Sequence, residues 1–126
     1  MTQENKELLL RDLCTRLPYG VKVQMADGAI EELLNVNVNT FICNGLKGLP
    51  KPYLFPLSSM TEEQKKEYNY WKHEVPVCHY EYGDIVEEIE LYDSPESFEY
   101  LIENHFDYRG LIERGLAIDA TGLNIY

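Results

Sequence analysis

Four turn signals, Asp27-Gly28, Asn44-Gly45, Gly83-Asp84 and Thr121-Gly122, cut this chain into short pieces and so limit the length of any strand it can form. Glycine beside Asn, Asp or Thr adopts the backbone angles that reverse a chain within two residues, and hairpins are expected at Asp27-Gly28, Gly83-Asp84 and Thr121-Gly122. Val21, Val23 and Met25 alternate with Lys22 and Gln24 ahead of the first pair, the period of a half-buried strand. The return strand is expected to carry Leu34, Val36 and Val38 on one face and Asn35, Asn37 and Asn39 on the other. Phe41-Ile42-Cys43 then runs into Asn44-Gly45. Val75 to Tyr82 and Ile85 to Tyr92 read as two strands joined at Gly83-Asp84, an order compatible with a type II′ turn. Residues 85–92 have a helical alternative, because Ile85 and Ile89 are four apart, but the β-branched Ile85, Val86 and Ile89 favour the strand. In the tail, Ile118 and Ile125 flank Thr121-Gly122 as a small final hairpin.

Helices are expected between these pieces. Leu9, Leu10, Leu13, Cys14 and Leu17 recur at helical spacing over residues 4–16, with Lys6, Glu7, Arg11, Asp12 and Arg16 on the other face and Pro18 and Gly20 as the stop. Thr61-Glu62-Glu63-Gln64 has the capping-box pattern and opens a mostly solvated helix to about His73. Ser94-Pro95 pairs a capping hydroxyl with a proline at the first helical position, where its missing N–H costs nothing. The helix it opens places Phe98, Leu101, Ile102 and His105 on one stripe and Glu96, Glu99, Tyr100 and Glu103 on the opposite one. Between these elements, residues 45–59 are punctuated by Gly48, Pro50, Pro52 and Pro56, so Tyr53 to Leu57 is expected to be an edge strand at most. The fold class is α+β: a small antiparallel sheet of four to six short strands packed with two or three helices, in a single domain over residues 1–126.

Charge is distributed unevenly. Between His73 and Arg109 stand Glu74, Glu81, Asp84, Glu87, Glu88, Glu90, Asp93, Glu96, Glu99, Glu103 and Asp107 with no Lys or Arg, which accounts for the whole net charge of −11. Such a field repels nucleic acid and acidic membranes and favours either a basic protein surface or plain solubility, a solvated face. No apolar run approaches the roughly 18 residues that cross a bilayer. The segment from Met1 to Glu7 lacks a basic region ahead of Leu8-Leu9-Leu10, so no signal peptide is expected and the location expected is the cytoplasm. Cys14, Cys43 and Cys78 match neither a disulfide framework nor metal spacing, and read as reduced, small core residues.

Three stretches, Asp12-Leu13-Cys14-Thr15-Arg16-Leu17-Pro18-Tyr19-Gly20-Val21-Lys22-Val23, Lys51-Pro52-Tyr53-Leu54-Phe55-Pro56-Leu57-Ser58-Ser59-Met60-Thr61-Glu62-Glu63-Gln64 and His105-Phe106-Asp107-Tyr108-Arg109-Gly110-Leu111-Ile112 with Gly115-Leu116-Ala117, resemble a family of small proteins from gut anaerobic bacteria and their phages and mobile elements. That family has no assigned activity, so the resemblance implies a bacterial cytoplasmic and phage-related setting and no catalytic residue.

The chemistry-bearing residues are few. His105 and Asp107 could support the acid–base work of a small hydrolase, with Arg109 nearby, but a satisfied core histidine explains His105 as well. Cys78 and His79 point to opposite faces of a strand, and no phosphate loop or calcium loop is present. No catalytic, cofactor or metal residue is expected. The favoured function is a non-enzymatic protein-interaction or accessory domain whose candidate surface is Glu96, Glu99, Tyr100 and Glu103. The alternatives are a DNA-mimicking inhibitor of a nucleic-acid enzyme and the hydrolase.

Overall fold

The first helix, α1 (Gln3–Arg16), starts where the Thr2 hydroxyl accepts the Asn5 amide at 3.1 Å and ends in a 3-10 turn, Leu17–Tyr19, with Pro18 near its start. The chain is described here by a computed structural model covering residues 2–126. Met1, at the head of the segment read as lacking a leader, lies outside the described residues. Gly20 follows at φ +68°, and a Cβ there would lie 2.7 Å from the Glu32 Oε1 atom, so glycine relieves both strain and a close approach.

The expected α+β architecture is present, with four α-helices and seven strands among the described residues. The expected single domain is organised as two compact units: the chain up to Ser59 together with Ile102–Tyr126, and the intervening Met60–Leu101.

In the first unit, β1 (Lys22–Gln24) and β2 (Ile30–Glu32) form the hairpin announced by Asp27-Gly28, pairing Lys22 with Glu32. The Gly28 amide donates to the Met25 carbonyl at 2.9 Å. The expected return strand at residues 34–38 is instead the start of α2 (Asn35–Cys43). Asn37 decides this locally, because its side-chain oxygen accepts the Leu34 amide at 3.0 Å and caps a helix. Val38 and Phe41, three residues apart, then face the core while Leu34 and Val36 stay exposed.

β3 (Lys51–Pro56), expected at an edge at most, is the strand that joins the sheet together. It pairs antiparallel with β1 and parallel with both β6 (Phe106–Asp107) and β7 (Ile118–Asp119), giving a five-stranded mixed sheet. Its two prolines do not empty its ladder, since the Phe55 amide donates to His105 and the Leu54 carbonyl accepts from Ala120, each at 2.8 Å. β7 takes Ile118 into this parallel pair, so the expected tail hairpin does not form. Leu9, Leu13, Val21, Val23, Leu33, Val38, Phe41, Leu54, Leu111 and Leu116 make the core.

In the second unit the Thr61 hydroxyl accepts the Gln64 amide at 3.1 Å and the Gln64 side chain accepts the Thr61 amide at 2.9 Å, the reciprocal box that opens α3 (Glu62–Tyr70). α3 buries no residue. β4 (His73–Glu81) and β5 (Asp84–Tyr92) form a two-stranded hairpin, which settles residues 85–92 as strand. Its turn residues are Tyr82 at φ +51° and Gly83 at φ +86°, the pattern of a type I′ turn and not the type II′ expected at Gly83-Asp84. α4 (Pro95–Glu103) follows.

Candidate interaction surface

Side chains alternate along a strand, and directly paired residues of antiparallel neighbours share a face. The register pairs Tyr80 with Ile85, Cys78 with Glu87, Pro76 with Ile89 and Glu74 with Leu91, so one face of the β4–β5 hairpin is an apolar ribbon holding two carboxylates. The other face carries Glu81, Asp84, Glu88 and Glu90 with His73, His79 and Tyr92 among Val75, Val77 and Val86. The apolar ribbon is open: Tyr80 is 79% exposed, Ile85 65% and Ile89 69%, and Tyr82 at the tip is 99% exposed. On the acidic face His79 Nε2 lies 3.7 Å from Glu81 and 4.0 Å from Glu88, and the Tyr92 hydroxyl donates to Glu90. That hydrogen bond to a carboxylate raises the Tyr92 pKa.

Of the four residues expected to form a recognition stripe on α4, Glu96, Glu99 and Glu103 are exposed, whereas Tyr100 is 8% exposed and faces inward. The helix is turned relative to the expected stripe: it buries Ser97, Tyr100 and Leu101 and exposes Phe98. Polar pinning at its start explains the turn. The Ser97 amide donates to the Ser94 hydroxyl at 3.0 Å, the Ser94 amide to the Ser97 hydroxyl at 2.8 Å, and the two hydroxyls reach the Trp71 carbonyl and Asp93. Asp93 also accepts from the Tyr68 hydroxyl, and Tyr100 donates to Glu67 at 3.0 Å with its ring against Tyr68. Burial, with these carboxylate bonds, pushes the Tyr68 phenol up and the Tyr100 phenol to about 12.

His105 and Asp107 have structural duties. His105 is not on a helical stripe; it follows α4 at φ +62° and stacks on Tyr126 with ring centroids 3.7 Å apart. Burial, and then the nearby Arg16 charge, lower its pKa to about 4. Asp107 is buried, and its two oxygens accept the Leu111 and Ile112 amides at 2.9 Å each, capping the turn that leads to Gly110 and beyond.

Arg16, Asp12 and Arg109 form a buried charge cluster that the helical periodicity does not announce. Asp12 and Arg16, placed by sequence on the wet face of α1, are both fully buried. Arg16 Nε donates to Asp12 at 2.8 Å, Arg16 Nη2 donates to the Phe106 carbonyl at 2.6 Å, and Arg109 Nε lies 3.3 Å from Asp12. Both guanidiniums lie against the Tyr108 ring. Burial raises the Asp12 pKa against the opposing pull of Arg16. The only sequence signal for the pair was its four-residue spacing, which places the two side chains on neighbouring turns.

Cys14, Cys43 and Cys78 are free and exposed, which corrects their assignment to the core. Cys14 falls on the open side of α1 because the buried side is filled by Leu9, Asp12, Leu13 and Arg16. Among the described residues, no three His, Cys, Asp or Glu side chains come together as a metal site, and no helix is long and apolar enough to cross a membrane. No protein-family model, curated protein or solved structure matches the chain.

Proposed function

We propose that this chain is a non-enzymatic protein-interaction domain of the bacterial cytoplasm, in a phage or mobile-element setting, whose β4–β5 hairpin recognises a basic protein surface. The observation that carries the reading is the hairpin itself: an uncovered apolar ribbon set among six carboxylates, Glu74, Glu81, Asp84, Glu87, Glu88 and Glu90, with no Lys or Arg in either strand. Exposed apolar ribbons of this kind mark contact surfaces. Covering the exposed parts of Tyr80, Ile85, Ile89 and Leu91 is worth roughly 4–8 kcal/mol. Association costs about 4–15 kcal/mol. The apolar contact alone is therefore marginal, and charge complementarity supplies encounter rate and partner choice. Glu96 and Glu99 on α4 add negative charge to the same unit. A nucleic-acid decoy needs only the charges and has no use for the Ile and Tyr side chains between them.

The test is retention of proteins from the native host on immobilised chain at low and at moderate salt. A basic protein is expected to be held at low salt, weakened at moderate salt, and lost from a Glu87→Lys, Glu88→Lys, Glu90→Lys triple variant. The matching Glu96→Lys, Glu99→Lys, Glu103→Lys variant is expected to slow capture without abolishing it. Capture at parental strength and parental salt dependence by both variants would mean that the carboxylates are merely solvated.

A further inference from the structure

We infer that the apolar ribbon of the hairpin is the seat of an amphipathic basic helix supplied by the partner, an inference that rests on the interaction reading above and specifies what occupies the surface. The ribbon is two strands wide, and strands lie about 4.8 Å apart, so one helix of roughly 10 Å diameter covers it. From Ile85 to Leu91 the uncovered stretch runs about 20 Å, the length of roughly 14 helical residues. Faces of small sheets are covered by helices, whereas an added strand takes an edge.

Charge selects among occupants. Glu87 stands in the middle of the ribbon opposite Cys78, and Glu74 stands at its end opposite Leu91. A second copy of this chain would bring a ribbon with the same two carboxylates and no cation to pair with them, and an anionic lipid surface would be repelled. An apolar helix stripe carrying Lys or Arg satisfies both positions. Glu74 and Glu87 are about 14 Å apart along the strands, which spaces the two basic residues two to three helical turns apart.

The probes are three peptides of about 15 residues: Leu and Lys at helical spacing, the same composition in strict alternation, and Leu and Glu at helical spacing. Binding is read by fluorescence anisotropy on the full chain at low and moderate salt. The helical Leu–Lys peptide is expected to bind best. Ile85→Thr with Ile89→Thr is expected to weaken it at least about tenfold while keeping strand propensity. Because that double variant could loosen the hairpin, Glu87→Gln, which removes no apolar contact, provides an independent check. It is expected to weaken binding about threefold to tenfold and to reduce its salt dependence.

Equal or tighter binding of the alternating peptide would overturn the proposal in favour of edge pairing, and equal binding of the Leu–Glu peptide would reduce it to unspecific adhesion. A concentration-dependent dimer of the chain, abolished by Ile89→Thr, would give the face to a second copy. Peptide binding unchanged by these substitutions, alongside salt-sensitive capture of a host protein, would remove this occupant and leave the interaction reading standing. Failure of both captures would remove both.

Discussion

At the scale of single residues, the most costly change is expected at Arg16. Arg16→Met leaves the fully buried Asp12 with Arg109 as its remaining cation and deprives the Phe106 carbonyl of its donor. Breaking a buried pair from one side costs about 3–5 kcal/mol, because a charge is stranded in low dielectric. Urea unfolding should show that loss, and the Asp12→Leu, Arg16→Met double variant should recover a large part of it. His105 makes a prediction in pH. Its folded pKa, about 4, is below the unfolded value near 6.5, so between these values the unfolded chain binds more protons and stability rises with pH. The contribution is complete above about pH 6.5 and is lost as the pH falls towards 4. After discounting for the part of the ring open to solvent, it amounts to about 1–2 kcal/mol. His105→Asn tolerates the left-handed backbone and removes the titration, so the difference in urea midpoint between parent and variant should shrink with acidification.

At the scale of elements, sequence located helices more reliably than it oriented them. Thr61 and Ser94 each mark a helix start through a side-chain oxygen, and such chemistry is local, so α3 and α4 are legible, while α1 is legible from its leucine spacing. α2 was not, because Leu34, Val36 and Val38 alternate like a strand and only the reach of Asn37 back to Leu34 discloses the helix. The prolines of β3 suggest an edge strand, although its useful donor is Phe55 and the strands it joins come from distant parts of the chain. In the candidate site, the carboxylates and the alternation of both hairpin strands were readable. That the ribbon's Tyr80, Ile85 and Ile89 are exposed among the described residues is a tertiary fact, and local sequence does not carry it. The turn moved one residue from its expected place, which sends Tyr82 from a strand to the tip without exchanging the two faces. Tyrosine at φ +51° with its side chain in solvent serves the turn poorly, whereas Asn-Gly is the preferred type I′ pair. Tyr82→Asn is expected to stabilise the hairpin by about 0.5–1 kcal/mol. Cross-strand nuclear Overhauser effects between Glu81 and Asp84 that survive to higher temperature would register the gain.

For the whole molecule, two units of different construction share one chain. The five-stranded unit has a contiguous aliphatic core, while Met60–Leu101 relies on the aromatic and hydroxyl network around Tyr68, Asp93 and Ser97 and on a hairpin that is almost entirely exposed. A two-stranded hairpin in water is marginal by itself. Amide exchange should therefore be faster in β4 and β5 than in β1 and β3, and similar protection in both would contradict this ordering. A bound basic helix should slow exchange in the hairpin alone.

The position of β3 also has a consequence for how the chain matures on the ribosome. Met60–Leu101 is contiguous, so its internal partners emerge together, but β3 waits for Phe106, Asp107, Ile118 and Asp119 before its parallel partners exist. Long-range parallel pairing is slow because the intervening loop must close first. During translation the acidic hairpin thus emerges before the residues that seal the sheet.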